Sequence, residues 1–159
     1  MQETAPDLDC VFAYGTLQFD AVMEIVTGRR FRGEPASLPG YFRRSLVERT
    51  YPGIAPVIAP VIAPVSAPGA EEETPGLLYR GVDSATLVRL DVFESDIYDR
   101  LALDVVTGPG ERVRAWTYVV APAHRHRLSD DPWDPDVFLR EHGEAFVESC
   151  KRFRSEGVV

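Results

Sequence analysis

Val-Phe-Ala-Tyr-Gly-Thr-Leu occupies residues 11–17, and the rest of the chain can be placed relative to this stretch. Its first four residues are β-branched, aromatic or small, which predicts a buried strand. The strand stops at Gly15, whose backbone can take angles that a side chain would forbid. A short helix is predicted at residues 20–26, with Gly28 as its stop. A strand, a glycine turn and a helix start leave several N–H groups unpaired, so the loop can hold a carboxylate or an oxyanion, although such a glycine is also common in ordinary turns.

Composition limits the class of protein. The chain has 159 residues, 45% of them hydrophobic, which indicates one domain over residues 1–159 with a substantial core. Its net charge of −8 disfavours nucleic acid and anionic membranes as partners. No apolar run approaches the roughly 20 residues that span a bilayer, and the N-terminus has no signal-peptide pattern. We therefore expect a soluble, cytoplasmic monomer or homodimer, with Cys10 and Cys150 as reduced, partly buried thiols.

Further segments are predicted to be extended, and they lie at residues 31–38, 41–47, 75–82, 98–106 and 113–119. The first two flank a Pro39-Gly40 turn and are expected to pair with each other. The last two alternate apolar and polar residues around a glycine-rich turn, which is typical of a hairpin. A final helix is predicted from Asp134-Pro135 to about Phe153. Strands and helices mix without regular alternation, which indicates an α+β domain around a largely antiparallel sheet.

The sequence Ile-Ala-Pro-Val occurs three times without a gap at residues 54–65. Proline at every fourth position removes backbone donors, which excludes a helix and a central strand. The repeats predict an extended, polyproline-like loop or an edge ribbon within a proline-rich loop insertion at about residues 52–74. A proline-motif ligand or a lid is one interpretation; the duplication of a short loop repeat is the other, and we favour it.

A helix that begins at Asp83 or Ser84 is expected to run to about Glu94. Leu87, Leu90 and Glu94 fall on one face of it, so an acid lies on the apolar side. Glu94 either turns out to solvent at the helix end or forms a half-buried carboxylate. In the second case desolvation would raise its proton affinity towards that of a useful base.

A polar loop at residues 121–131 contains two histidines. His124 and His126, together with Asp130 or Asp131, raise the question of a metal site. No further ligand lies at a convincing spacing, so we expect solvated loop histidines and no bound metal.

Several motifs together resemble the gamma-glutamylcyclotransferase-like family. They are Tyr14-Gly15-Thr16-Leu17, Leu38-Pro39-Gly40-Tyr41, Tyr51-Pro52-Gly53 and Leu90-Asp91-Val92-Phe93-Glu94 with Tyr98 and Arg100. The final helix is similar to that of the avirulence-induced-protein-like branch of plants and bacteria. The chain departs from the family pattern at Ser95, where many members have glycine, and in its proline-rich loop.

The resemblance implies a small mixed, largely antiparallel β-barrel with flanking helices. It implies release of 5-oxoproline from a small γ-glutamyl amine or dipeptide, by attack of the substrate's α-amino group, with no cofactor and no metal. Glu94 would be the general acid and base. Tyr14, Gly15, Thr16 and Leu17 would bind the substrate through loop amides. Tyr98, Arg100 and Tyr118 would line or brace the pocket.

Other interpretations remain open. Core packing or a structural ion pair explains Tyr98, Arg100 and Tyr118 almost as well as a role in the pocket. A related enzyme would remove a γ-glutamyl protecting group from a larger amine. A non-catalytic binding or regulatory protein would keep the barrel and the pocket without turnover, since fold does not fix function.

Overall fold

The computed structural model describes residues 8–57 and 73–155. Its strands are β1 Val11–Ala13, β2 Gly33–Pro39, β3 Tyr41–Ser45, β4 Pro52–Pro56, β5 Glu73–Tyr79, β6 Tyr98–Thr107 and β7 Arg112–Val120. Its α-helices are α1 Asp20–Thr27, α2 Ser84–Glu94 and α3 Pro135–Ser155, and two short 3-10 helices cover Thr16–Gln18 and Pro122–Arg127.

Five strands form a closed barrel in the order β1-β5-β2-β6-β7. Neighbouring strands are antiparallel, except that β1 and β7 close the barrel in parallel at Val11 and Trp116. Successive side chains of β1 point into two different hydrophobic clusters. Val11 packs in the cluster that includes residues of α1 and α2, and Phe12 packs in a second cluster with Leu38 and Leu78. The expected mixed, largely antiparallel barrel with flanking helices is confirmed.

The ends of the helices follow local signals. Asp83 caps α2, because its carboxylate accepts a hydrogen bond from the Thr86 N–H at 2.9 Å. Asp134 accepts from the Asp136 N–H at 2.8 Å at the start of α3. Gly28 ends α1 with a φ of 79°, in the left-handed region that favours glycine. Cys10 and Cys150 are buried free thiols, as expected.

The predicted pairing of the two segments around Pro39-Gly40 is wrong. β2 lies between β5 and β6, so both of its edges are already hydrogen-bonded. Gly40, with a φ of 83°, turns the chain away from β2. β3 then pairs with β4 in a separate two-stranded sheet, with Arg43 opposite Ile54.

The proline-rich segment begins as a strand and not as a loop. Pro52 and Pro56 stand at the two ends of β4, where the missing N–H groups interrupt the ladder least. The start of the first repeat, Ile54 to Pro56, is therefore extended and paired with β3. Residues 73 and 74 at the other end of the predicted insertion belong to β5. The remaining repeats, at residues 58–65, lie outside the described residues.

Candidate active site

A cavity of about 150 Å³ opens between the residue 14–17 segment, here called the glycine loop, and the C-terminal end of α2. Five more structural elements contribute to its walls, namely β1, β4, β6, β7 and α3. The lining residues are Phe12, Ala13, Tyr14, Gly15, Thr16, Leu17, Tyr51, Pro52, Phe93, Glu94, Ser95, Tyr98, Tyr118 and Phe146.

Side chains from three directions hold the glycine loop. The Tyr14 hydroxyl donates to the backbone carbonyl of Tyr118 at 2.6 Å, and the Tyr14 carbonyl accepts from Arg43 Nη1 at 2.8 Å. The Leu17 carbonyl accepts from the Tyr79 hydroxyl at 2.8 Å. The N–H groups of Gly15, Thr16 and Leu17 form no hydrogen bond within the described part of the chain. The loop is thus rigidly placed and still has free donors.

Gly15 lies close to β4. Its φ of −120° and ψ of −134° lie outside the helical and extended regions of the backbone. A Cβ at this position would lie 3.1 Å from Pro52 Cγ and 3.2 Å from Pro52 Cδ. Glycine allows the loop to approach β4 closely, which closes one side of the cavity.

Glu94 is the last residue of α2 and contributes to the cavity lining. The side chain is surrounded by protein and reaches solvent only in part. Burial, and second the negative charge of Asp91, raise the pKa of Glu94 from 4.5 to about 8. It has no hydrogen bond or ion pair with any other described residue. This carboxyl can therefore accept and return a proton near neutral pH.

Asp91, one turn before Glu94, connects two of the predicted pocket residues. Its Oδ1 accepts from the Tyr118 hydroxyl at 2.7 Å and from Arg100 Nε at 2.8 Å. The Arg100 Nη2 group donates to Asp91 Oδ2 at 3.2 Å, and the guanidinium lies 4.3 Å from the centre of the Trp116 ring. Arg100 is not among the residues that line the cavity, and the ion pair and the ring hold it beside Asp91, as in the structural ion pair that the sequence also allowed.

The predicted tyrosines both lie in the cavity wall. The Tyr98 hydroxyl donates to the Pro52 carbonyl at 2.7 Å, and Tyr118 is held by Asp91. Burial raises the pKa of Tyr98 and of Tyr118, so both phenols stay protonated at neutral pH. Their hydroxyl hydrogens are used within the protein, so these side chains give the cavity its shape.

A family model described as gamma-glutamyl cyclotransferase, AIG2-like, matches residues 11–135. The chain belongs to this AIG2-like family. It is 30% identical to protein AIG2 C of Arabidopsis thaliana over 153 residues, which cover 96% of this chain and 85% of the relative. A protein of Arabidopsis thaliana solved in solution superposes with a TM-score of 0.66 at 28% identity, over 96% of this chain and 86% of its own. The predicted membership of the avirulence-induced-protein-like branch is confirmed.

A solved gamma-glutamyl cyclotransferase shares the fold of this AIG2-like chain. It superposes with a TM-score of 0.57 at 16% identity, over 90% of this chain and 86% of its own. At that identity the likeness establishes the fold alone, and the chemistry of this chain has to be argued from its own cavity.

The AIG2-like cavity also contains residues that the sequence did not assign to it. The unassigned lining residues are Phe12, Ala13, Tyr51, Pro52, Phe93, Ser95 and Phe146. The Phe146 ring packs edge-on against Tyr51 and Phe93, with centres 6.5 and 6.4 Å apart. Tyr51-Pro52-Gly53 was part of the family motif and was the available signal. An aromatic residue in a cavity wall has the same sequence pattern as one in the core.

The histidine loop of this AIG2-like chain forms a 3-10 helix at Pro122–Arg127. His124 Nδ1 accepts a hydrogen bond from Arg127 Nε at 3.1 Å. Across residues 8–57 and 73–155, no group of three or more His, Cys, Asp and Glu side chains is placed to hold a metal ion. In the same ranges, no helix is long and apolar enough to cross a membrane.

Proposed function

We propose that this protein is a γ-glutamyl cyclotransferase that releases 5-oxoproline from a small γ-glutamyl amine or dipeptide. One observation carries the proposal: an unpaired carboxyl, Glu94, with a pKa of about 8, shares a cavity with the free N–H groups of the glycine loop. Membership of the AIG2-like family supports the same reaction class.

The reaction needs no water. The substrate's α-amino nitrogen attacks its own γ-carbonyl carbon, and a five-membered ring closes as the new C–N bond forms. The old C–N bond to the leaving group then breaks, which gives 5-oxoproline and a free amine. The α-ammonium must lose a proton before the attack, and the leaving nitrogen must gain one. A single acid/base group can carry that proton from one nitrogen to the other.

Glu94 has the properties that this proton transfer requires. In the empty cavity its raised pKa keeps a proton on the carboxyl up to about pH 8. A bound α-ammonium brings a positive charge, which favours the carboxylate form. Glu94 can then take a proton from the ammonium and return it to the leaving nitrogen. The apolar cavity wall limits competition from water for both steps.

The glycine loop supplies complementary donors. The N–H groups of Gly15, Thr16 and Leu17 suit the α-carboxylate of the glutamyl head or the oxyanion that develops at the γ-carbonyl. Arg43, Tyr79 and Tyr118 hold the loop through hydrogen bonds to its carbonyls and to the Tyr14 hydroxyl. Donors fixed in this way need little reorganisation when charge develops.

The test is 5-oxoproline release from γ-glutamyl amino acids, γ-glutamyl-ε-lysine, glutathione and γ-glutamyl amines. Wild type should convert at least one class, and Glu94→Gln should lose at least about 100-fold in kcat, because the amide cannot carry the proton. Glu144→Gln, an exposed substitution of the same kind on α3, should match wild type. If wild type converts nothing, the proposal is wrong. Ligand-induced thermal shifts with the same panel would then identify a non-catalytic binding protein.

A further inference from the structure

Ser95 combines two features: an unfavourable backbone conformation and a place in the cavity wall. Its φ of 71° and ψ of −172° fall in a region that is essentially restricted to glycine. Glu48 is the other non-glycine residue with positive φ among the described residues, and it lies outside the cavity lining. The strained serine directly follows Glu94.

The conformation of Ser95 is fixed by its neighbours. The Ser95 N–H donates to the Asp91 carbonyl at 3.0 Å, which ends α2, and its carbonyl accepts from the Tyr98 N–H at 3.4 Å. These two hydrogen bonds connect the helix to β6 in a turn that a glycine would make without strain. The Cβ and the hydroxyl of Ser95 therefore contribute nothing that the turn itself requires.

The Ser95 hydroxyl forms no hydrogen bond with any other described residue. Ser95 is exposed and lines the cavity, so its hydroxyl is free to bond either with solvent or with a molecule bound in the cavity. Part of the wall, at Tyr51, Phe93 and Phe146, is aromatic. Ser95 lies next to Glu94 in the lining and adds a hydroxyl beside that carboxyl.

We infer that Ser95 is a substrate-binding residue whose hydroxyl hydrogen-bonds the γ-glutamyl head at the end that carries the α-ammonium and α-carboxylate. This inference rests on the proposed function, because it takes Glu94 as the group that meets the α-ammonium. The turn keeps a strained serine because its hydroxyl contributes to substrate affinity.

Three variants separate the hydroxyl from the strain. Ser95→Ala keeps the Cβ and the strain but removes the hydroxyl. Ser95→Gly removes both. Glu48→Gly is the matched control, because it relieves a positive φ at an exposed position outside the cavity. Ser95→Gly should raise the Tm by roughly 2–10 °C, Glu48→Gly should also raise it, and Ser95→Ala should leave it nearly unchanged.

Kinetics with two substrates locate the contact. We would measure KM and kcat for γ-glutamyl-methylamide, which has a minimal leaving group, and for γ-glutamyl-phenylalanine. Ser95→Ala and Ser95→Gly should raise KM about three- to tenfold for both substrates, with kcat changed by less than about twofold. Glu48→Gly should keep the KM of wild type.

Calorimetric titration of the same compounds into Glu94→Gln and into Glu94→Gln/Ser95→Ala separates this inference from the proposed function. A weaker affinity in the double variant, without any turnover by wild type, would leave Ser95 as a binding residue and refute the reaction. Equal KM and affinity with and without the hydroxyl would overturn the assignment of Ser95. A loss confined to γ-glutamyl-phenylalanine would overturn the assignment to the glutamyl head. If neither compound binds, both proposals are wrong.

Discussion

The carboxylate of Asp91 accepts a hydrogen bond from the Tyr118 hydroxyl at 2.7 Å, and Asp91 lies one turn before Glu94 on α2. Asp91 therefore has two effects on the cavity. It holds a tyrosine of the wall in place, and, after burial, its charge is the second cause of the raised pKa of Glu94. The first of these effects survives a change to asparagine, whereas the second does not.

Asp91→Asn should move the pH dependence of the reaction to lower pH. Asparagine keeps an oxygen for the Tyr118 hydroxyl but removes the negative charge that raises the pKa of Glu94. The ascending limb of kcat/KM against pH, which reports the base in the free enzyme, should then shift towards acid. The measurement is kcat/KM from pH 5.5 to 9.5.

Asp104→Asn is the control for this shift. Asp104 forms an ion pair with Arg114 at 3.1 Å on the β6–β7 hairpin and does not line the cavity. This variant also loses one acidic charge and one ion pair, so its profile should coincide with that of wild type. Coincident profiles of Asp91→Asn and wild type would show that Asp91 does not tune Glu94.

The raised pKa of Glu94 should make stability fall as pH rises. Its pKa is about 8 in the folded protein, against 4.5 for the ordinary group, so between these values the folded state binds more protons than the unfolded state. The contribution of Glu94 to the free energy of unfolding is complete below about pH 4.5 and is lost as the pH rises through 8. Glu94→Gln removes this dependence. We expect the variant to match wild type near pH 5 and to exceed it by on the order of 2–4 kcal/mol at pH 9.

Urea unfolding at pH 5, 7 and 9 measures this difference. Glu144→Gln provides the background, since an exposed carboxyl should change stability equally at every pH. A constant difference between Glu94→Gln and wild type from pH 5 to 9 would mean that Glu94 has an ordinary pKa.

Local signals predicted much of this fold. The start and end of α2 agree with the predicted helix because the Asp83 cap and the spacing of Leu87 and Leu90 act within one segment. The hairpin of β6 and β7 agrees because its turn and its alternation are also local. Glu94 was assigned to the apolar face by the same helical spacing, and it lies in the cavity wall.

Competition between distant segments explains what the sequence did not predict. The pairing of β2 with β5 and β6 excludes β3, and no local pattern records that competition. For Arg100 the sequence left a role in the pocket and a structural ion pair open, and in the fold Asp91 holds it through two hydrogen bonds. Gly15 approaches Pro52 closely, and Pro52 lies 37 positions further along the chain. Such contacts arise only once the fold has brought the segments together.

Gly76→Ala should destabilise the barrel strongly. A Cβ at Gly76 in β5 would collide with the carbonyl oxygen of Ala13 in β1 and would lie 2.8 Å from Phe12 Cζ. The oxygen belongs to the backbone of a paired strand and cannot move aside, so we expect a loss of about 2–4 kcal/mol in the free energy of unfolding. Urea unfolding gives this value.

Gly108→Ala tests whether the loss comes from the collision. Gly108 lies in the β6–β7 turn, where an added Cβ would meet nothing within 4 Å. The same chemical change should therefore alter the free energy of unfolding by less than about 1 kcal/mol. Equal losses in the two variants would contradict the close approach of β1 and β5 at Gly76.

Thr117→Val should stabilise the protein. Thr117 on β7 is fully buried, and its Oγ1 has no hydrogen-bond partner among the described residues. A buried hydroxyl without a partner costs free energy, and valine has nearly the same shape, so we expect a gain of about 1 kcal/mol in the free energy of unfolding.

Thr27→Val is the matched comparison, since the buried Thr27 hydroxyl donates to the Met23 carbonyl at 2.6 Å and accepts from the Arg29 N–H at 3.2 Å. That variant should lose about 1–2 kcal/mol, because it removes both hydrogen bonds and leaves the Arg29 N–H unpaired. Urea unfolding of both variants under one condition should give opposite signs, and a loss in Thr117→Val would show that its hydroxyl is hydrogen-bonded in solution.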